Sequence, residues 1–127
     1  MKTNELKTGN LLFKNNEVVT VMNIFGPSGL VQFKEEPFQR IPLLVAEIEG
    51  IPLTEEWLLK FDFVLTDVTL KKHLDVPTYN NRWHGVFLEY HLLGWYMVKP
   101  HIINEIQWVH QLQNIYFDVT REELVLK

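Results

Sequence analysis

The sequence predicts an α+β fold: an N-terminal antiparallel β-meander, one short helix, and a second β-hairpin or sheet covered by a C-terminal amphipathic helix. Three observations lead to this prediction. Within residues 1–50, short runs of apolar and β-branched residues are separated by turn residues, which is typical of strands. Residues 86–99 are almost continuously apolar or aromatic. From Trp108 onward, the apolar spacing changes to the three- and four-residue steps of a helix.

The first part of the chain predicts a meander of short strands. Residues 9–25 are expected to form a hairpin around an Asn15-Asn16 turn, because Asn tolerates the positive φ values that tight turns require. Pro37 and Pro42 limit the segment between them to a short edge strand, since proline cannot donate to a ladder. These strands suit a small SH3-like barrel and an open meander equally well.

The middle of the chain predicts one short helix. Thr54 is the expected N-cap, and Glu55 and Glu56 follow in the first turn, where the helix dipole favours negative charge. We expect this helix to end near Lys60 or Phe61, and its buried face should be apolar.

The remaining elements follow from changes in hydrophobic pattern. Strand-type residues return at 63–70, and the polar stretch 71–81 is expected to be a long exposed loop. Two strands at 86–92 and 95–99 should form the second hairpin, which needs a cover on at least one face. The terminal helix is that cover, through a stripe of Trp108, Val109, Leu112, Ile115, Tyr116 and Val119. Its other side carries His110, Gln113 and Asn114, which we expect to point away from the sheet.

Length, composition and charge bound the possible functions. At 127 residues and 15.1 kDa, the chain is expected to form a single domain over 1–127, with sub-units 1–50 and 51–127 as the alternative division. It lacks cysteine, which excludes disulfides and thiolate chemistry and favours a cytoplasmic protein. No segment approaches the ~20 apolar residues of a membrane span. The net charge of −4 offers no basic field for nucleic acid.

Histidines are the first candidates for chemistry. The five in the chain follow no metal-ligand spacing, so no metal and no cofactor is expected. His110 and Asn114 lie one turn apart on the terminal helix, with Glu105 upstream, and could form a small polar site. In the alternative interpretation, His110 caps a neighbouring loop through its ring nitrogens.

Aromatic residues cluster around the second hairpin. The cluster consists of Trp83, Tyr90, Trp95 and Tyr96. Such rings could bind a planar ligand, single-stranded nucleic acid or a protein surface, and an aromatic core would explain them equally well.

Two segments carry a family resemblance: residues 51–63, IPLTEEWLLKFDF, and residues 109–117, VHQLQNIYF. Together with residues 6–10, they resemble small proteins frequent in Bacteroidetes genomes and their prophages. The resemblance brings no catalytic or binding residues with it, and small mobile-element proteins of this kind often act by binding another protein. The chain departs from the family pattern at Asp62 and Arg121, where Gly is common.

These observations favour a non-enzymatic module that binds another protein or itself. The contact surface would be the aromatics of the second hairpin or the acidic segment 47–56. The alternative is a nucleic-acid-binding module on the N-terminal sheet, with phosphate contacts from Lys2, Lys7, Lys14 and Lys34. An enzyme is a third hypothesis, and it requires His110, Asn114 and a carboxylate to converge in one cleft.

Overall fold

The structure, a computed structural model, describes residues 5–43, 47–71, 74–81, 85–91, 94–100 and 102–126. Over these residues it contains two five-stranded antiparallel sheets, a short helix and a C-terminal helix, which confirms the predicted α+β class. The chain divides into two compact units. Unit 1 comprises Met1–Pro52 and Trp108–Asn114, and unit 2 comprises Leu53–Gln107 and Ile115–Lys127. Neither helix in the described residues is long and apolar enough to cross a membrane.

The sheet of unit 1 is the predicted meander with one added strand. Its strands are β1 (Leu11–Lys14), β2 (Glu17–Phe25), β3 (Leu30–Phe33), β4 (Glu36–Pro42) and β5 (Ile48–Glu49). The order is β4-β3-β2-β1-β5, so β5 returns to pair antiparallel with β1. Because β4 and β5 stand at opposite edges of this order, the described ladders leave the sheet open.

The first hairpin forms at the predicted turn. Lys14 pairs with Glu17, and the two residues between them, Asn15 and Asn16, have φ values of 52° and 63°. Positive φ at both central positions is the geometry that matches the twist of a two-residue hairpin. Apolar side chains of the strands then form the core of unit 1, which contains Leu6, Leu12, Val19, Val21, Val31, Phe33, Leu43 and Ile48.

The short helix α1 (Glu55–Lys60) begins unit 2 as predicted. Thr54 is its N-cap, and the hydroxyl accepts a hydrogen bond from the Trp57 N–H at 3.4 Å. The sheet that follows contains β6 (Phe63–Lys71), β7 (Leu74–Asn81), β8 (Phe87–His91), β9 (Gly94–Lys99) and β10 (Ile103–Ile106). Its order is β10-β9-β8-β7-β6, an up-and-down arrangement of sequential neighbours.

The prediction of a long exposed loop at 71–81 is wrong. Residues Leu74–Asn81 form β7, which pairs with β6 from Phe63↔Asn81 to Lys71↔Leu74. Pro77 made this stretch resemble a loop, because proline lacks the N–H of a ladder donor. Pro77 lies outside the described pairs of β7 with β8, which involve residues 78–80. The N–H that proline lacks therefore interrupts none of those pairs.

The C-terminal helix α2 (Val109–Thr120) starts with half of a capping box. The Trp108 N–H donates to Oε1 of Gln111 at 3.0 Å. Val109, Leu112 and Tyr116 of the predicted stripe are buried. His110 and Gln113, which lie outside the predicted stripe, are buried as well.

The residues that follow the two helices, Asp62 and Arg121, adopt left-handed backbone. Asp62 follows α1 with φ 65°, and Arg121 follows α2 with φ 63°. The Arg121 N–H donates to the Phe117 carbonyl at 2.7 Å, which is the hydrogen bond of an αL cap. The helix therefore ends in the usual capping conformation although a Cβ atom disfavours it.

We expect Arg121→Gly to raise the free energy of unfolding by about 0.5–1 kcal/mol, because glycine adopts positive φ without steric cost. Urea denaturation followed by circular dichroism measures the change. Arg121→Ala is the matched control, since it removes the same side chain and keeps the Cβ atom. An equal gain in both variants would show that the arginine side chain, and not the backbone, is responsible.

Candidate binding sites

An aromatic pocket of about 340 Å³ opens in unit 2. We define it by its lining residues, which are Leu53, Thr54, Glu55, Pro77, Tyr79, Tyr90 and Trp95. The Trp95 ring centre lies 4.8 Å from that of Tyr90 and 5.5 Å from that of Tyr79. The three rings thus form one continuous cluster.

Strand register places the three rings on one face of the sheet. Tyr90 and Trp95 are direct partners across β8 and β9, and Tyr79 of β7 pairs with Leu88, two residues before Tyr90. Directly paired residues and residues two apart in a strand share a face. The Trp95 Nε1–H donates to the Leu53 carbonyl at 3.0 Å, which holds the indole against the segment before α1.

Glu55 gives the aromatic pocket a negative charge. The exposed Glu55 side chain accepts a hydrogen bond from the Tyr79 hydroxyl through Oε2. Burial, followed by this hydrogen bond and the charge of Glu55, raises the pKa of Tyr79 to about 12. Tyr79 therefore keeps its proton at neutral pH and can hold the carboxylate in place. An apolar aromatic wall beside one carboxylate is an arrangement that suits a cation.

The structure brings together only some of the aromatic residues singled out in the sequence. Tyr90 and Trp95 line the pocket, but Tyr96 pairs with Glu89 and projects from the opposite face of β9. Trp83 lies outside the described residues. Sequence reasoning missed Tyr79, because its strand was predicted to be a loop.

A second cleft, of about 330 Å³, lies in unit 1. We call it the His110 cleft and define it by Glu5, Ile48, Glu49, Gly50, Trp108 and His110. Backbone pairing builds it, since Pro52 forms an isolated β-bridge with Trp108 and the Val109 N–H donates to the Ile51 carbonyl at 2.8 Å. These contacts hold the first turn of α2 beside the chain segment that follows β5.

His110 forms part of the cleft wall with one unsatisfied ring nitrogen. The side chain is only 2% exposed, and its buried Nδ1 has no hydrogen-bond partner among the described residues. Burial lowers the pKa of His110, and the nearby charge of Glu5 raises it by a smaller amount. A neutral imidazole at physiological pH is the result. The alternative in which His110 caps a loop through both nitrogens is not what this geometry shows.

Gly50 allows the two rings of the cleft to approach the backbone. A Cβ atom at this position would lie 3.1 Å from the indole carbons Cδ2 and Cε3 of Trp108, and 3.3 Å from Cε1 of His110. Such distances are too short for ordinary contacts. The absence of a side chain at Gly50 is therefore part of how the cleft is shaped.

Asn114 has a structural role in unit 1. Its Oδ1 accepts from Nδ2 of Asn10 at 2.9 Å, and its Nδ2 donates to the Glu5 carbonyl at 2.9 Å. Both ends of the amide are thus engaged, and Asn114 does not line the His110 cleft. In the described part of the chain, no three His, Asp or Glu side chains are placed to hold a metal ion.

The depressed pKa of His110 predicts a specific pH dependence of stability. Above pH ~6.5, the group is neutral in both the folded and unfolded states and contributes no pH dependence. As the pH falls below that value, the unfolded state gains a proton that the folded state resists, so the free energy of unfolding should decrease. Urea denaturation at about pH 7.5 and pH 5.5 tests this expectation. His110→Phe isolates the effect from that of the other histidines and should show a smaller loss on acidification.

Comparison with protein-family models, curated proteins and solved structures gives no match. The class of protein is given by its fold and its clefts. It is an α+β protein with two antiparallel sheets, and each of its units carries a cleft beside acidic side chains.

Proposed function

We propose that this protein is a non-enzymatic binding module that takes a basic side chain of a partner protein into the aromatic pocket of unit 2. The observation that carries the proposal is the joining of Tyr79, Tyr90 and Trp95 beside the Glu55 carboxylate. A lysine suits this site, since its methylene stem can lie along Leu53 and Pro77 while the ammonium meets the rings and the carboxylate.

The energetics of such a site decide what kind of binding to expect. A cation over an aromatic face contributes about 0.5–2 kcal/mol, so one lysine gives only a weak contact. A complete partner must add surface around the pocket, as protein interfaces do around a central anchor. Glu55 and Glu56 in the first turn of α1 add electrostatic attraction for a basic partner.

The resemblance of the sequence motifs to a family of small prophage proteins also supports this proposal. Small prophage proteins often act by binding other proteins, and we propose that this chain belongs among them. The genes that neighbour its own would then indicate the partner class, since virion-assembly, defence and replication clusters imply different proteins.

Nuclear magnetic resonance titration with Nα-acetyl-lysine N-methylamide tests the pocket directly. We expect the Trp95 indole N–H resonance to shift with a dissociation constant in the ~1–10 mM range. The norleucine analogue, which has a similar stem and no charge, should bind at least about tenfold more weakly. Equal binding of the two compounds would contradict a cation site.

Two substitutions then assign the binding to the aromatic pocket. Tyr90→Ala removes a ring of the wall, and Glu55→Gln removes the charge, so both should weaken lysine binding. Tyr96→Ala is the matched control, because this tyrosine lies on the opposite face of β9. The proposal fails if Tyr96→Ala weakens binding as much as Tyr90→Ala does.

Nucleic-acid binding through the N-terminal sheet stays a prediction with less support. Lys14, one of the four expected phosphate contacts, forms a salt bridge with Glu36. Lys2 lies outside the described residues. A gel-shift series across salt concentrations tests this alternative, since phosphate neutralisation gives steep salt dependence.

A further inference from the structure

We infer that the His110 cleft of unit 1 is a separate ligand site and that it binds a guanidinium group. This inference does not depend on the aromatic pocket, because it concerns different residues in a different unit. It rests on three properties of the cleft: a buried imidazole without a partner, two carboxylates and an indole ring.

The unsatisfied imidazole is the first reason to expect a ligand. A buried polar atom without a hydrogen bond destabilises the folded state, and such atoms are rare in native proteins. His110 is almost fully buried and lacks a partner at Nδ1, although amide side chains on the next turn of α2 are fully engaged. A histidine kept in this state beside an open cleft suggests that its hydrogen-bonding capacity serves a bound molecule.

The charges of the cleft determine the sign of the ligand. Glu5 and Glu49 are both exposed at its edge, and none of the described residues that line it is a lysine or arginine. At the start of α2, the Trp108 and Val109 N–H groups already donate to Gln111 and Ile51. An anion would therefore meet repulsion, whereas a cation would be attracted.

The arrangement of the acidic groups favours an organic cation over a metal ion. Glu5, Glu49 and His110 are the three metal-ligating side chains that line the cleft. They do not come close enough together to form a coordination shell, and this holds for every such group in the described residues. A ligand with several separated donors can reach these side chains where a single metal ion cannot.

A guanidinium matches the remaining features better than an ammonium does. It is planar and stacks on aromatic rings, and the half-buried indole of Trp108 lines the cleft. Its five N–H donors can serve two carboxylates and a neutral imidazole together, whereas an ammonium has three donors around one point. The volume of about 330 Å³ accommodates a ligand the size of an arginine side chain.

The guanidinium could come from free arginine or from an arginine of a polypeptide. Calorimetric titration with L-arginine and with Nα-acetyl-arginine N-methylamide distinguishes the two sources. Tighter binding of the free amino acid would assign the site to a metabolite, and tighter binding of the capped form would assign it to a polypeptide. Either ranking supports the guanidinium site, provided that the citrulline analogues, which are uncharged and nearly isosteric, bind at least about tenfold more weakly.

Variants then test whether arginine binds in the His110 cleft. Glu49→Gln should weaken arginine binding several-fold through loss of charge. His110→Phe keeps the ring volume and removes both nitrogens, so it should fold, become at least as stable as the parent near neutral pH, and bind arginine less well. Tyr96→Ala, at a residue that lines neither cleft, is the control and should leave arginine binding unchanged.

Three results would overturn the inference. The first is equal affinity for arginine and citrulline. The second is undiminished arginine binding in both Glu49→Gln and His110→Phe, which would place the bound molecule elsewhere. The third is the absence of any heat or resonance shift with either arginine compound at concentrations up to about 50 mM.

Discussion

Replacing Trp95 with alanine is expected to lower the free energy of unfolding by about 3–5 kcal/mol, the usual cost of removing a buried tryptophan. The indole is only 7% exposed and packs against the rings of Tyr79 and Tyr90. Alanine would leave a cavity between these rings and would remove the donor that satisfies the Leu53 carbonyl. Urea denaturation monitored by circular dichroism measures the loss.

Trp95→Phe separates packing from hydrogen bonding. It retains an aromatic ring in the cluster and removes the Nε1–H, so we expect a smaller loss of about 1–2 kcal/mol. If Trp95→Ala were no more destabilising than Trp95→Phe, the indole would not be an element of the core. The expected result also explains why Tyr90 and Glu55 are the better positions for testing binding: a Trp95→Ala variant would lose affinity through loss of structure.

The second large effect is expected at Gln113. Its Oε1 accepts from the Leu11 N–H at 2.9 Å, and its Nε2 donates to the Gly9 carbonyl at 3.1 Å. The side chain is 5% exposed, so water cannot readily replace these bonds. We expect Gln113→Ala to lower the free energy of unfolding by about 2–4 kcal/mol, since each unsatisfied buried group costs about 1–3 kcal/mol.

Asn114→Ala is the comparison for this prediction. Asn114 makes a similar pair of hydrogen bonds, but its side chain is only partly buried and water can replace the lost partners. Its loss should cost about 1 kcal/mol. Hydrogen exchange of the Leu11 amide gives a local readout, and the exchange should accelerate in Gln113→Ala more than in Asn114→Ala. Equal effects of the two substitutions would contradict the role assigned to Gln113.

Local chemistry made several elements predictable from the sequence. Asn15-Asn16 defined the first hairpin, because few residues tolerate positive φ at two successive positions. Thr54 followed by two glutamates defined the start of α1, since capping depends on groups only three residues apart. The almost continuous apolar and aromatic run of residues 86–99 indicated the second hairpin, because such a run is visible within a short stretch of sequence.

Elements whose identity depends on distant partners were not predictable in this way. The strand β7 resembles a loop in composition, and it becomes a strand because β6 provides a continuous ladder along it. Its proline, Pro77, lies outside the described pairs of β7 with β8. Tyr79 belongs to this strand, so the aromatic pocket could not be assembled from the sequence pattern.

The burial of the polar residues of α2 was likewise not predictable from the local sequence pattern. Helical periodicity placed His110 and Gln113 outside the apolar stripe, and a polar residue outside such a stripe usually faces water. In the protein, Gln113 is buried because the segment from Gly9 to Leu11 presents backbone groups that need partners. His110 is buried because the chain at Gly50 lacks a side chain and lets the ring approach.

The sequence alone therefore determined the α+β class, the first hairpin turn and the helix starts, all of which depend on steric and hydrogen-bonding preferences within a few residues. Only the tertiary structure decided which polar groups are buried and which side chains share a cleft. Glu55 meets Tyr79 across 24 positions, and Gln113 meets Gly9 across 104. Burial and electrostatic environment arise from such long-range contacts, and both proposed binding sites depend on them.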